Sequence, residues 1–156
     1  MDRSAGDPDP AAGRRPLSGV VVLDITRVVA GPFCSMILAD LGATVIKIEN
    51  PKEPDYARDF PPFLGDADDT DGRFSAYFAQ YNRHKLGLTL DLSTDEGKEV
   101  LRELVARSDV LVENFRAGVM DKLGVGEANL RAVNPRLVYT AISGYGQTGP
   151  YRRRPA

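Results

Sequence analysis

Apolar and polar positions alternate in blocks along most of this chain. Residues 20–23 (VVVL) form a short run of β-branched and leucine side chains that ends at Asp24, and a second run, TVIKI at 44–48, has the same character. Runs this short and this rich in β-branched residues are typical of strands covered on both faces. Between them, apolar residues recur at helical spacing from Gly31-Pro32 to Gly42. Proline suits the first helical turn, where its missing N–H has no partner to lose, and glycine suits the position just past the end. The unit is strand, helix, parallel strand. Ligands of such sheets sit where strand carboxyl ends meet helix amino ends, so the turn at 25–31 is the first place to look for chemistry.

The same alternation continues. Residues 51–72, dense in Pro, Asp and Gly, predict a loop of about twenty residues. Residues 73–82 place Phe74, Tyr77, Phe78 and Tyr81 on one face of a short helix, read as core. Leu86, Leu88, Leu90 and Leu92 alternate at period two, predicting a third strand over 84–92. Ser93 and Glu96 then have the spacing of a capping box, opening a helix that runs to about Ser108 with Val100, Leu101, Leu104 and Val105 on its apolar face. A fourth strand is predicted over 109–113, two short helices over 117–123 and 127–133, a fifth strand over 137–142, and a glycine-rich turn over 143–150. Strands alternating with helices throughout predict an α/β fold with a Rossmann-like parallel sheet and flanking helices. Residues 1–16, with no periodicity, are expected to be a disordered leader, and 17–156 the folded part.

Composition narrows the picture. The 156 residues carry 20 basic and 22 acidic side chains, a net charge of −2, so no global field points to nucleic acid or membrane. No apolar run approaches the roughly 18–20 residues of a membrane span, and the first residues lack a signal-type apolar stretch. One cysteine allows no internal disulfide. A cytoplasmic protein is the expectation.

Three strand ends collect polar candidates on one edge of a parallel sheet: 26–31, 114–116 and 143–149. A nicotinamide fingerprint requires three glycines, and the first turn offers a single glycine and a proline, although Glu49 stands where a ribose-binding acid would. Neither a phosphate-binding P-loop nor a G-x-S-x-G elbow is present. Cys34, in the first turns of the first helix, reads as a small core residue. Arg83, His84 and Lys85 suit either a phosphate or a solvated strand start, and Arg152-Arg153-Arg154 reads as a solvated charge run. Asp24 reads as a strand-end residue and Asp40 as part of helix packing.

Four segments, LSGVVVLDITRVVAGPFCSMILADLGATVIKIENP at 17–51, YNRHKLGLTLDL at 81–92, SDVLVENFRAGVMDKLGVG at 108–126 and NPRLVYTAISGYGQTGPY at 134–151, resemble in order and spacing the family III CoA-transferases, which include formyl-CoA transferase, the carnitine/crotonobetaine CoA-transferases and the related α-methylacyl-CoA racemases. The resemblance implies a Rossmann-like N-terminal portion of a larger interlocked homodimer. It also implies transfer of CoA between an acyl-CoA and a carboxylic acid through an aspartyl intermediate, without a metal. Racemase-type proton transfer and a non-catalytic CoA-binding or dimerisation module are the alternatives. By the same resemblance, CoA contacts fall at Val29, Ala30, Asn50, Leu90, Asp91, Leu92, Ser93, Asn114, Phe115, Arg116 and Lys122. Asn50 stands where the family often has a basic residue. Lys122 stands where many members have arginine, turning a bidentate phosphate grip into a point charge. No aspartate here matches the family's nucleophile, which falls beyond Ala156, so the chain is expected to be inactive alone, and to aggregate or fold only in part.

Overall fold

The structure, a computed structural model, describes residues 15–65 and 74–154. The expected leader lies almost wholly outside them. Five parallel strands form the main sheet: β1 Val21–Asp24, β2 Thr44–Glu49, β5 Lys85–Thr89, β6 Val110–Glu113 and β7 Val138–Ala141, in the order β5-β2-β1-β6-β7. β1 is central, with Leu23 level with Ile46 on one side and Leu111 on the other. From β1 the chain steps outward through β2 to β5, then returns to lay β6 and β7 on the opposite flank, so the order reverses between β1 and β6. At such a reversal the loops leaving the two strands diverge and open a crevice.

The uninterrupted apolar runs follow from burial on both faces. Leu23 and Leu111 join the core beneath α3 (Asp95–Val105), α4 (Val119–Lys122) and α5 (Glu127–Val133), together with Leu101, Val105, Leu130 and Leu137. Their neighbours Val22, Val45 and Val112 point the other way, into a smaller cluster with Ala39 and Ala43 beside α1 (Ala30–Asp40). Pro32 does sit in the first turn of α1, and Gly42, at φ 103°, lies just past its end. No helix among the described residues is long and apolar enough to cross a membrane.

Several expectations shift. The stretch after Asn50 is not plain loop: a 3-10 turn spans Tyr56–Asp59, and a two-residue strand β3 (Phe63–Leu64) pairs antiparallel with β4 (Phe74–Ser75). Ordering comes from buried Asp55, which caps that turn through the Ala57 N–H, and from Ser75, whose hydroxyl donates to the Ala57 and Phe60 carbonyls. The aromatic helix α2 therefore starts late, at Ala76, and runs to Asn82. Of its expected core face only Phe78 is buried, while Tyr77 and Tyr81 stack edge-to-face in a row from Phe60 to Phe33. β5 stops at Thr89 as an edge strand with Leu86 60 % exposed, because nothing among the described residues pairs beyond it. Val100 on α3 is likewise exposed.

The cap of α3 moves by one residue. Asp91 accepts from both the Ser93 N–H and its hydroxyl, holding Ser93 outside the helix, and Thr94 becomes the cap by accepting from the Gly97 N–H at 3.0 Å. The Ser93–Glu96 box does not form. Thr94→Ala is expected to cost about 1 kcal/mol in urea unfolding, with Glu96→Ala within about 0.5 kcal/mol of the parent. Equal losses would restore the box.

Candidate functional site

The turn leaving β1 is tied down from every side. The Asp24 carboxylate, fully buried, accepts from the Thr26 N–H and hydroxyl, from the Ser35 hydroxyl at 2.6 Å and from the Lys85 ammonium at 2.8 Å. Burial alone would raise this carboxyl, but Lys85, Lys47 and the hydrogen bonds outweigh it and hold it below the usual carboxylate range. Lys85 spends its other protons on the Pro32 carbonyl and the Asn82 amide oxygen. Lys47, in the middle of β2, reaches under the turn to the Thr26 carbonyl at 2.9 Å and to Asp55 at 3.1 Å. Asp55 in turn accepts the Val28 N–H with both oxygens, at 3.1 Å each.

Asn114, at the start of the loop after β6, completes the clamp. Its side-chain oxygen accepts from the Arg27 N–H and its amide donates to the Arg27 carbonyl, both at 2.8 Å. These constraints hold Val28 at φ 70°, a left-handed conformation that costs a β-branched residue about 1–3 kcal/mol. Gly31 is required by close approach, since a Cβ there would lie 2.2 Å from Thr26 Cβ. The first turn of α1 is thereby pressed against the loop, and Val29 and Ala30 face the crevice.

The expected contact residues fall into two groups joined by Phe115. Asn50, Leu90, Leu92 and Ser93 line a small cavity of about 130 Å³ with Ile25, Arg27 and Phe115. Asp91 stands behind it, shaping the Ser93 turn and pairing with Lys52. Asn50 has no charge to offer, and its side-chain oxygen accepts the Lys52 N–H. Val29, Ala30, Asn114, Phe115 and Arg116 line a second cavity of about 430 Å³ or one of about 410 Å³ beside it, the latter closed by Ser143 and Tyr145 from the glycine-rich turn. Lys122 does not join them; it lines a separate, larger cavity that Arg116 also borders.

Several expectations resolve otherwise. Arg83 and His84 bond Asp40 and Lys85 bonds Asp24, so the Arg83-His84-Lys85 run is occupied by carboxylates, and Asp40 serves as their partner rather than packing the helix. Asp24 is a buried anchor, more than a strand end. Glu49 is engaged with the Arg58 guanidinium and the Asp55 N–H. Burial, then Asp24, push the Cys34 thiol up, which opposes a reactive thiolate. Reading the sequence missed Lys47 and Asp55, and took in Arg27 only as part of the 26–31 stretch. A lysine inside VIKI was the available signal, because a charge in a doubly covered strand needs a buried partner.

Residues 17–156 match the family described as CoA-transferase family III. The chain belongs to that family. Relatives include an acetyl-CoA:oxalate CoA-transferase of Acetobacter aceti, 44 % identical over 147 residues that cover 94 % of this chain and 36 % of that protein. A succinyl-CoA:mesaconate CoA-transferase of Haloarcula hispanica is 47 % identical over 140 residues, covering 88 % and 35 %. Among solved structures, a CAIB/BAIF family protein from Brucella suis superposes with a TM-score of 0.81 at 44 % identity, covering 90 % of this chain and 36 % of that one. The family III chain thus spans about a third of the length of these relatives.

One measurement tests the clamp and a second the Asp91 turn beside the small cavity. Lys47→Met leaves the Asp55 carboxylate buried without its cation and is expected to cost about 3–5 kcal/mol by denaturant unfolding; a loss below about 1 kcal/mol would remove the ion pair from the structural account. Asp91, held down at about 2 by Ser93 and Lys52 against an ordinary 3.8, has a folded value below its unfolded one. Its contribution is therefore complete above about pH 4 and is lost as pH falls towards 2. Asp91→Asn should flatten that part of a plot of thermal midpoint against pH, and an unchanged slope would contradict the assignment.

Proposed function

We propose that this chain supplies the CoA-binding part of an enzyme that moves CoA from an acyl-CoA thioester to a carboxylic acid. The observation that carries the reading is convergence: segments far apart in sequence, 27–30, 50, 90–93 and 114–116, meet around Phe115 on the carboxyl edge of the sheet, and they are the segments that carry the family motifs. The crevice has the features a nucleotide-thiol needs: apolar walls, a partly buried aromatic, backbone amides of a helix start and flanking cations. The relatives named above are transferases acting between acyl-CoAs and oxalate or mesaconate, which favours transfer to a carboxylic acid over racemisation.

In this reading an aspartate outside these residues attacks the thioester carbonyl and expels CoA thiolate, leaving a mixed anhydride. The thiolate then attacks the aspartyl carbonyl, releasing the donor acid and forming an aspartyl thioester. The acceptor carboxylate displaces the thiolate from it, giving a second anhydride, and the thiolate attacks that anhydride's acyl carbonyl to release the new acyl-CoA and free the aspartate. The role of this chain is to bind and orient. The clamped turn fixes Val29 and Ala30 before ligand arrives, so little ordering cost falls on binding. The whole enzyme is read as an interlocked, cytoplasmic homodimer.

Calorimetric titration of the 156-residue chain with CoA is expected to give saturable binding that Phe115→Ala weakens about tenfold, the loss of one stacked aromatic, while acyl-CoA plus oxalate gives no transfer. Unchanged affinity in the variant would move the site away from Phe115, and measurable turnover would place a nucleophile within this chain.

A further inference from the structure

Asp24, Asp55 and Glu113 are the carboxylates buried among the described residues, and they are held in two different ways. Asp24 and Asp55 each meet a lysine ammonium, at 2.8 Å and 3.1 Å. Glu113, the last residue of β6 and 4 % exposed, has no cation within 4.0 Å among the described residues. A buried carboxylate without a cation costs stability unless hydrogen bonds satisfy it. One of its oxygens accepts the Phe115 N–H at 2.7 Å, and the other faces the Tyr139 hydroxyl of β7 at a long 3.4 Å.

The short bond is the consequential one. A charge-assisted hydrogen bond inside a protein is stronger than a neutral one, and this one fixes the backbone of the residue whose ring joins the two groups of crevice residues. Glu113 itself lines another cavity, of about 280 Å³, where Asp121 of α4, Glu127 of α5, Tyr139 of β7 and Arg116 from the loop after β6 are the other titratable or charged groups. It reaches the crevice through the Phe115 backbone.

These surroundings set its proton affinity. Burial pushes the Glu113 carboxyl up, the Phe115 N–H and the Tyr139 hydroxyl pull it down, and Asp121 pushes it up again, leaving it above the ordinary 4.5. Tyr139 is raised by burial and then by Glu113, so it stays protonated and remains a donor. Because the Phe115 N–H favours the ionised carboxylate, the ionised carboxylate favours the Phe115 backbone position by the same free energy.

We infer that Glu113 is a positioning residue of the CoA site: acting through the Phe115 N–H, its carboxylate holds the loop after β6 in the conformation that sets the Phe115 ring in the crevice. The inference rests on the CoA-binding reading and adds to it a residue behind the crevice wall.

The test titrates the 156-residue chain with CoA beside Glu113→Gln, which keeps an acceptor oxygen without the charge, and Glu113→Met, which keeps neither. Far-UV circular dichroism and the thermal midpoint check that each is folded. Glu113→Met is expected to bind about tenfold more weakly and Glu113→Gln about threefold. A pH profile separates positioning from mere support of the fold. Its probe is dephospho-CoA, which lacks the 3′-phosphate whose second proton titrates near about pH 6. Affinity of the parent is expected to be full above the raised value of Glu113 and to fall as pH drops through it towards 4.5. In Glu113→Gln that step is expected to vanish, and its loss supports the role even if Glu113→Met does not fold. Parent-like affinity in a folded Glu113→Met, a flat parent profile, or a step that persists in Glu113→Gln overturns the role of Glu113 alone. A parent that binds neither ligand overturns the CoA reading, and this role with it.

Discussion

Buried charge governs the architecture of the binding edge. Lys47 and Lys85 rise from adjacent strands into the space beneath the turn that leaves β1, and each finds a fully buried aspartate there, Asp55 and Asp24. Neither lysine could sit in a low-dielectric interior alone, and neither could either aspartate. Because the partners come from four separate places in the chain, the pairs close only when β1, β2, β5 and the segment after Asn50 are all in position. The net stability of such pairs is small once desolvation is counted, but the loss on breaking one is large. They therefore act more as a specification of geometry than as a source of stability.

That specification reaches the site through the backbone. Asp24 and Asp55 accept the N–H groups of Thr26 and Val28, Lys47 takes the Thr26 carbonyl, and Asn114 takes both polar groups of Arg27. Almost every polar group of the turn is committed before a ligand arrives, and a valine is held in a left-handed conformation as a result. Strain of that kind persists where surrounding contacts over-determine it, and it leaves the first turn of α1 aimed into the crevice between the diverging loops. The chain's membership of CoA-transferase family III is the context of this arrangement.

Much of this was legible along the chain. The two β-branched runs, Pro32 and Gly42 locate β1, α1 and β2 because strand burial and helix termination are local properties, written in adjacent residues. The predicted helix over 127–133 coincides with α5, and the motif segments carry the family relationship. The cap of α3 was off by one because Ser93 and Thr94 are both good caps, and the choice fell to Asp91, which claims Ser93 for its own turn.

The sequence by itself determined the alternation of elements, the doubly covered strands and the kinship with CoA-transferases, since each rests on short-range pattern or on motif identity. Only the tertiary structure decided which charges are buried and which are left free. Lys47 and Asp55 are eight residues apart across an irregular loop, and Lys85 and Asp24 are 61 apart, so no periodicity links them. The same holds for Arg152 and Arg153: in the chain they are a polar run, and they become part of a basic cavity only because β6 and β7 lie side by side and deliver their loops to one edge.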